Sequence, residues 1–594
     1  MIYIRNFSII AHVDHGKSTI SDRFIQLCQG LSEREMRDQV LDTLEIERAR
    51  GITIKAQSVS LRYQSKDGHT YILNLIDTPG HVDFSYEVTR SLSACEGALL
   101  VVDSSSQVQA QTVSTCHAAD KAGLTIIPVA NKIDLPSSDI VETALQIEDI
   151  IGLDAKNILS CSGKANIGIA EILEEIIRLV PAPTGDPNAS VQALIIDAWF
   201  DNYSGVICLV RVREGTLKIG DFIQLAHGGK KFQVESLGIF TPKRLAQETL
   251  SAGEVGFVIA NIKNLAEISV GDTIISAGSN VNLSSLPAII KASPQIYACI
   301  FPIDGDDFEK FRTCLSKLAL NDQALTYQPE VSHSLGHGFR CGFLGTLHIE
   351  VVKDRLDSEY GLDLIVAPPS VAYQITDTKG NTFICSSPKD VPEKQSLASI
   401  AEPRVKVDIL IPKENVGDII TLCQKRRGHQ ISFGFGGRQA NLVYDLPMSE
   451  VIADFAEQLK SLTHGYGSFS YTMTHFEPEK MVLMSILLNG SDIDSLTQII
   501  HVSESASKGR KIVDKLATII PRGQFEVRIQ AAIGAKIIAS ASIKPYRKDV
   551  TAKCYGGDVS RKRKLLEKQK KGKKKMKQIG NIDIPQSAFI SLLK

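Results

Sequence analysis

The stretch Ala11-His-Val-Asp-His-Gly-Lys-Ser18 decides how this chain is read. It follows the apolar run Phe7 to Ile10, which reads as a buried parallel strand, and it precedes a helical pattern. Strand, glycine-containing turn and helix start together form the setting in which backbone amides converge on an anion. The amides of Asp14, His15, Gly16, Lys17, Ser18 and Thr19 are expected to cradle phosphates. Lys17 is expected to reach the β- and γ-phosphates and the Ser18 hydroxyl to bind Mg2+. The usual pattern starts with Gly, whereas position 11 is Ala.

Further along, the run Tyr71 to Ile76 reads as a second strand that delivers Asp77 to the carboxyl end of a sheet, where α/β proteins place ligands. Asp77 is expected to hold Mg2+ through water. Gly80 in Asp77-Thr-Pro-Gly-His81 lets an amide approach the γ-phosphate because no side chain intervenes. His81 then lies within reach of an attacking water and takes the water-positioning role, with a solvated loop histidine as the bland alternative. Thr53, in Arg50-Gly-Ile-Thr-Ile54, suits a segment that orders when its hydroxyl completes the Mg2+ shell. Val13 and Ile52 flank these loops, either gating water access to His81 or simply packing.

The choice of base comes from Asn131-Lys-Ile-Asp134, after the apolar run Leu124 to Ala130. A carboxylate accepts both N1–H and N2–H of guanine but faces the wrong partners on adenine, so Asp134 argues for GTP and GDP over ATP. Asn131 braces the loop, Lys132 covers the ring face, and Ile133 lies between Lys132 and Asp134 in the same motif. Ser160-Cys-Ser-Gly-Lys164 offers the Ser162 amide to guanine O6.

With 594 residues the chain is too long for one core. Its formal charge of −1 hides a strongly basic end balanced by an acidic remainder, which suggests a polyanion partner at that end. Eleven cysteines, scattered singly, fit a reduced cytosolic protein rather than a disulfide framework. His333, His337, Cys341 and His348 invite a zinc reading, but their glycines and apolar neighbours favour a turn and a helix. There is no apolar run of about 20 residues to cross a membrane and no leader pattern, so a soluble, cytoplasmic, bacterial-type protein is expected.

Pro181-Ala-Pro-Thr-Gly-Asp-Pro187 cannot continue a helix and forms the first linker. The expected fold class is multidomain α/β and β. A P-loop GTPase domain spans 1–184, and a β-barrel of short alternating runs and Gly turns spans 190–280. Two α+β ferredoxin-like sandwich domains of split β-α-β plan span 291–368 and 400–480. A basic α+β C-terminal domain spans 481–594. Lys425, Arg426 and Arg427 close a helix in the second sandwich, where they complement its dipole or meet RNA.

Near the C-terminus, Arg561, Lys562, Arg563 and Lys564 open a run of cations that repels itself unless phosphates neutralise it. Upstream, Arg547, Lys548 and Lys553 alternate with Tyr546 and Tyr555, whose rings suit stacking on nucleotides. The region reads as an RNA-binding arm, with a solvated tail and attraction to anionic lipid as the alternatives.

His12-Val-Asp-His-Gly-Lys-Ser-Thr19, Arg50-Gly-Ile-Thr-Ile54 and Asp77-Thr-Pro-Gly-His-Val-Asp-Phe84 resemble the translational GTPases, whose phosphate loops share the departure at the first position. Phe339-Arg-Cys-Gly-Phe-Leu-Gly345 and Ala552-Lys-Cys-Tyr-Gly-Gly-Asp-Val-Ser-Arg-Lys562 resemble the elongation factor 4 (LepA) family, over essentially the whole chain. The resemblance implies a ribosome-dependent GTPase related to the translocase elongation factor G, without the tRNA-mimicking fourth domain. Only about Ala367 to Glu402 separates the two sandwiches here. It further implies the ribosome and tRNA as partners, movement of tRNAs back by one codon, and fidelity under stress. Peripheral association with the anionic inner membrane is implied as well, and a monomer is expected. A ribosome assembly factor and a membrane-binding GTPase switch are the competing functions. No arginine finger is evident in the sequence, so hydrolysis by the chain alone is expected to be slow.

Overall fold

A computed structural model describes the chain except for residues 32–38, 43–44, 202, 228–229, 263–266, 279–293, 323, 333–334, 368, 393–396, 437–438, 494–495, 523–524, 547–562, 565 and 570–594. Its contacts divide it into two units. The first comprises Met1–Ser293, Lys317–Gln323 and Val405–Met473, and the second comprises Pro294–Ser316, Ala324–Arg404 and Thr474–Lys594.

In the first unit, β1 (Ile4–Ala11) leads into α1 (Lys17–Leu27), and α2 (Glu45–Arg50) precedes β2 (Gln57–Gln64) and β3 (Thr70–Asp77). Then come α3 (Ser85–Leu92), β4 (Gly97–Asp103), α4 (Ala110–Lys121), β5 (Thr125–Asn131), α5 (Ile140–Gln146), β6 (Leu159–Ser160) and α6 (Ile169–Leu179). The strands lie in the order β2-β3-β1-β4-β5-β6. All pairs are parallel except β2 with β3. The run Phe7 to Ala11 is buried throughout because both faces of the sheet are covered, and its one polar side chain, Ser8, donates to Ile76 O at 2.8 Å. Phe7 and Ile9 face Ile20, Phe24, Ile172 and Leu173 of α1 and α6, while Ile10 faces Val88, Leu92 and Cys116 of α3 and α4. Burying each of these side chains contributes about 1.5–3 kcal/mol. The parallel strands all end toward the same edge, and the loops after β1, β3 and β5 therefore meet there.

An eight-stranded antiparallel sheet follows, centred on the hairpin Gln192–Asp201 and Gly205–Glu214, with Val210, Val212 and Leu237 in its core. It is locked to the preceding domain by Arg211, which donates to Ala94 O at 3.0 Å and pairs with Glu96. Residues 405–473 of the same unit run strand, helix Val416–Lys425, strand His429–Gly436, strand Gln439–Pro447, helix Met448–Leu462 and strand. Leu410 joins the core of the α3/α4 face, and Ser468 Oγ accepts from the Ala110 amide at 2.8 Å.

Arg426 donates to the Glu450 carbonyl at 2.8 Å and pairs with Asp454, and Arg427 lies 3.8 Å from Glu450. These two arginines therefore tie the domain's own helices together, which accounts for them without RNA.

In the second unit, strands Ile296–Pro302, Thr326–Ser332 and Gly336–Phe343 form an antiparallel sheet with helix Thr346–Tyr360 against it. His348 is buried and accepts from the Leu344 amide at 3.1 Å. This bond closes the turn before the helix, and His333 lies outside the described residues. The C-terminal sheet is built on Met481–Leu488, Val527–Ile533 and Lys536–Ile543, with helix Val502–Ile519 covering it through Val513 and Leu516. No helix among the described residues is long and apolar enough to cross a membrane.

Candidate active site

The loops at the carboxyl ends of β1, β3 and β5 enclose a cavity of about 570 Å³, within the range of small-molecule sites. Val13, Asp14, Gly16, Lys17, Ser18 and Thr19 line one side, Ile52, Thr53 and Gly80 a second, and Asn131, Lys132 and Asp134 a third. Residues far apart in the sequence thus converge on one volume, as the motif spacing predicted.

Gly16 is required by geometry, and Gly80 sits close against the phosphate loop. Gly16 sits at φ 92°, and a Cβ there would lie 2.3 Å from Asn131 Nδ2. At Gly80 a Cβ would lie 3.3 Å from Ala11 O and 3.7 Å from Val13 N, so a side chain would press on the phosphate loop.

Asn131 links the loops around the cavity. Its amide donates to His15 O at 2.9 Å, and its carbonyl accepts from Gly163 N at 3.1 Å. Three loops are joined by one side chain. Lys132 is anchored by Asp103 at 2.9 Å. Burial alone would raise the Asp103 carboxyl, but bonds from Ser105 and Lys132 outweigh it and hold it at about 2. Asp134 accepts from the Ser162 hydroxyl at 2.6 Å. The expected role of the Ser162 amide needs correction, because that amide already donates to Ile167 O at 3.0 Å. The Ser162 hydroxyl instead orients the Asp134 carboxylate, and Ile133 does not line the cavity.

The metal-binding candidates are close together. Lys17 Nζ donates to Asp77 at 2.9 and 3.0 Å and to Thr53 Oγ1 at 2.6 Å, and Thr53 donates to Asp42 Oδ1 at 2.8 Å. Asp77 and Asp42 are both fully buried. Burial raises the Asp77 carboxyl, opposed by Lys17. Asp42 Oδ2 is buried without a hydrogen-bond partner among the described residues. Two buried carboxylates, one with an orphaned oxygen, beside the Ser18 and Thr53 hydroxyls fit a hard divalent cation such as Mg2+. Glu47, also buried, accepts from the Ile54 and Lys55 amides at 2.9 and 3.1 Å and fixes the Thr53 loop.

Asp42 and Glu47 were missed in the sequence. The available signal was a cluster of three acids, Asp42, Glu45 and Glu47, placed 11, 8 and 6 residues before Thr53.

His81 is placed differently from the rest. It does not line the cavity, and its Nδ1 accepts from the Asp83 amide at 3.1 Å. His12 and His15 are neutral. Burial and the neighbouring His81 lower His12 to about 4, and burial with the neighbouring His12 lowers His15 to about 3. His15 is buried in the loop base, where its Nδ1 accepts from the Asp103 amide at 3.1 Å. Arg23 lines the cavity, but its guanidinium donates to Gly163 O at 2.8 Å and Gln26 Oε1 at 2.6 Å. Arg547, Lys548, Lys553, Arg561 and Lys562 lie outside the described residues. Arg563 and Lys564 are exposed in a short helix, with Arg563 3.5 Å from Glu567.

Residues 3–182 match the elongation factor Tu GTP binding domain and 205–275 match elongation factor Tu domain 2. Residues 399–487 match the elongation factor G C-terminus, and 488–594 match the C-terminus of the GTP-binding protein LepA. A crystal structure from Thermus thermophilus shares the fold with a TM-score of 0.57 at 17% identity, over 80% of this chain and 97% of that one. Fold and site define a translational GTPase, an enzyme that binds GTP and GDP and hydrolyses GTP. The four matched segments together make the chain a member of the LepA, or elongation factor 4, family.

Proposed function

We propose that this GTPase is stimulated by the ribosome, with Mg2+ as its metal, and that it acts on tRNA position during elongation by moving tRNAs back one codon. The observation that carries the ribosome dependence is the pair His81 and Arg23. His81 is turned toward Asp83, and the arginine that lines the cavity is held by Gly163 and Gln26. Phosphoryl transfer needs an oriented water and neutralised charge on the γ-phosphate. A partner must therefore complete the site, and the LepA and elongation factor G matches point to the ribosome.

Mg2+, when bound, would neutralise charge on the phosphates. Ser18 and Thr53 would hold it directly and Asp77 through water. Lys17 draws the phosphates into the loop, Gly80 lets an amide face the γ-phosphate, and Val13 and Ile52 exclude stray water. Asp134 with Ser162 selects guanine. The basic residues Arg547, Lys548, Lys553 and Arg561 to Lys564 would carry RNA or tRNA contact. A cytoplasmic monomer suits this role, and inner-membrane association would be electrostatic and reversible.

The test is GTP hydrolysis by the chain alone, with 70S ribosomes and with anionic liposomes, for wild type and His81→Ala. Stimulation by ribosomes alone, abolished in His81→Ala with GTP binding intact, is the expected result. Stimulation by liposomes instead would overturn it.

A further inference from the structure

The contacts of the segment 405–473 with the turn that follows His81 carry more than packing. Asp83, 6% exposed, lies 3.6 Å from His81 Nδ1 through its carboxylate and donates its amide to the same nitrogen at 3.1 Å. The hydroxyl of Tyr471 donates to the Asp83 carboxylate. Tyr471 is held in turn, stacked on Phe469 at 6.3 Å, and Phe469 packs edge-on against the buried Phe455 at 5.2 Å. One further contact fixes this strand beside the site: Ser468 Oγ accepts from the Ala110 amide at 2.8 Å.

We infer that Tyr471 is a positioning residue that locks the Asp83 turn and so keeps His81 out of the nucleotide cavity until the second sandwich domain shifts. The chain of cause is short. His81 orients water only if its ring leaves the turn at 82–84, and the turn is pinned through Asp83 to a rigid aromatic on a different domain. A partner that moves residues 405–473 by the length of one hydrogen bond frees the turn without touching the nucleotide. Hydrolysis is thereby coupled to docking of that domain. This inference rests on the reading of His81 as the water-positioning residue of a ribosome-stimulated enzyme.

The experiment uses the full chain. Tyr471→Phe deletes the hydroxyl and keeps the ring, and Ser468→Ala removes a different contact of the same interface. Ribosome-free turnover in Tyr471→Phe should rise by about ten- to a hundredfold, the size expected for losing one hydrogen bond to a carboxylate. KM for GTP should stay unchanged, the melting temperature should fall by only a few degrees, and Ser468→Ala should change turnover less than about twofold. An unaltered rate in Tyr471→Phe overturns the lock. An equal rise in both variants also overturns it, since general loosening would then suffice. The ribosome arm is read separately. A wild-type chain that ribosomes do not stimulate refutes the proposed function, whatever the ribosome-free comparison shows.

Discussion

Replacing Asn131 by Ala removes the brace between the phosphate loop and the base-reading loops. The side chain donates to His15 O at 2.9 Å and accepts from Gly163 N at 3.1 Å and from Cys161 Sγ at 3.4 Å. It is 2% exposed, so water does not replace these partners. Each of the two full hydrogen bonds, broken with its partner left buried, costs about 1–2 kcal/mol, and the weak thiol donor adds little. The sum of about 2–4 kcal/mol falls on the relative placement of the loops. It corresponds to roughly 30- to 700-fold weaker nucleotide binding. Lys17 and Asp134 remain, so GTP and GDP should weaken together and guanine should still be preferred. Titration with a fluorescent nucleotide measures the loss, and urea unfolding controls for stability. A loss below about threefold in a folded variant, or one confined to GTP, would refute the reasoning.

Asp134→Asn should relax base choice, with xanthosine triphosphate gaining on GTP by about tenfold or more in competition binding; unchanged exclusion refutes the base-reading role. Asp42→Asn should raise the Mg2+ concentration needed for half-maximal turnover while leaving GTP binding in excess chelator unchanged, and an unshifted Mg2+ curve means the orphaned oxygen serves no metal. His12 and His15 titrate at about 4 and about 3 when folded, below the ordinary value near 6.5. The unfolded chain therefore takes up more protons as the pH falls. Their contribution to stability is complete above about pH 6.5 and is lost between about pH 6.5 and 3, so the urea midpoint should fall across that window. A flat midpoint would show both rings to be accessible.

The parts of this molecule that were legible in the sequence are those set by local covalent constraints. Gly16, Gly80 and the strand ends before Ala11, Asp77 and Asn131 dictate backbone shape within a few residues, and the helix Met448–Leu462 declares itself by its own period. What stayed hidden depends on partners remote in the chain. Arg426 and Arg427 look like a cationic helix end until Glu450 and Asp454, 24 to 28 residues on, are seen to neutralise them. The Ser162 amide looks available until Ile167 is seen to take it. Strand β2 was not singled out, although Val59, Leu61 and Tyr63 alternate with Ser58, Ser60 and Arg62 at the period of a half-buried strand. Nothing local ties Tyr471 to Asp83, which lies 388 positions earlier in the sequence.

The Lys17–Asp77 ion pair has a bearing on turnover. An ammonium and a carboxylate at 2.9 Å, both shielded from solvent, satisfy each other without phosphate. Most of the penalty for pulling a nucleotide off such a loop comes from stranding opposite charges in a dry pocket. Here departing GDP leaves behind two groups that can neutralise one another, and Thr53 already bridges them to Asp42. An emptied site therefore strands neither charge, which lowers the cost of losing the nucleotide.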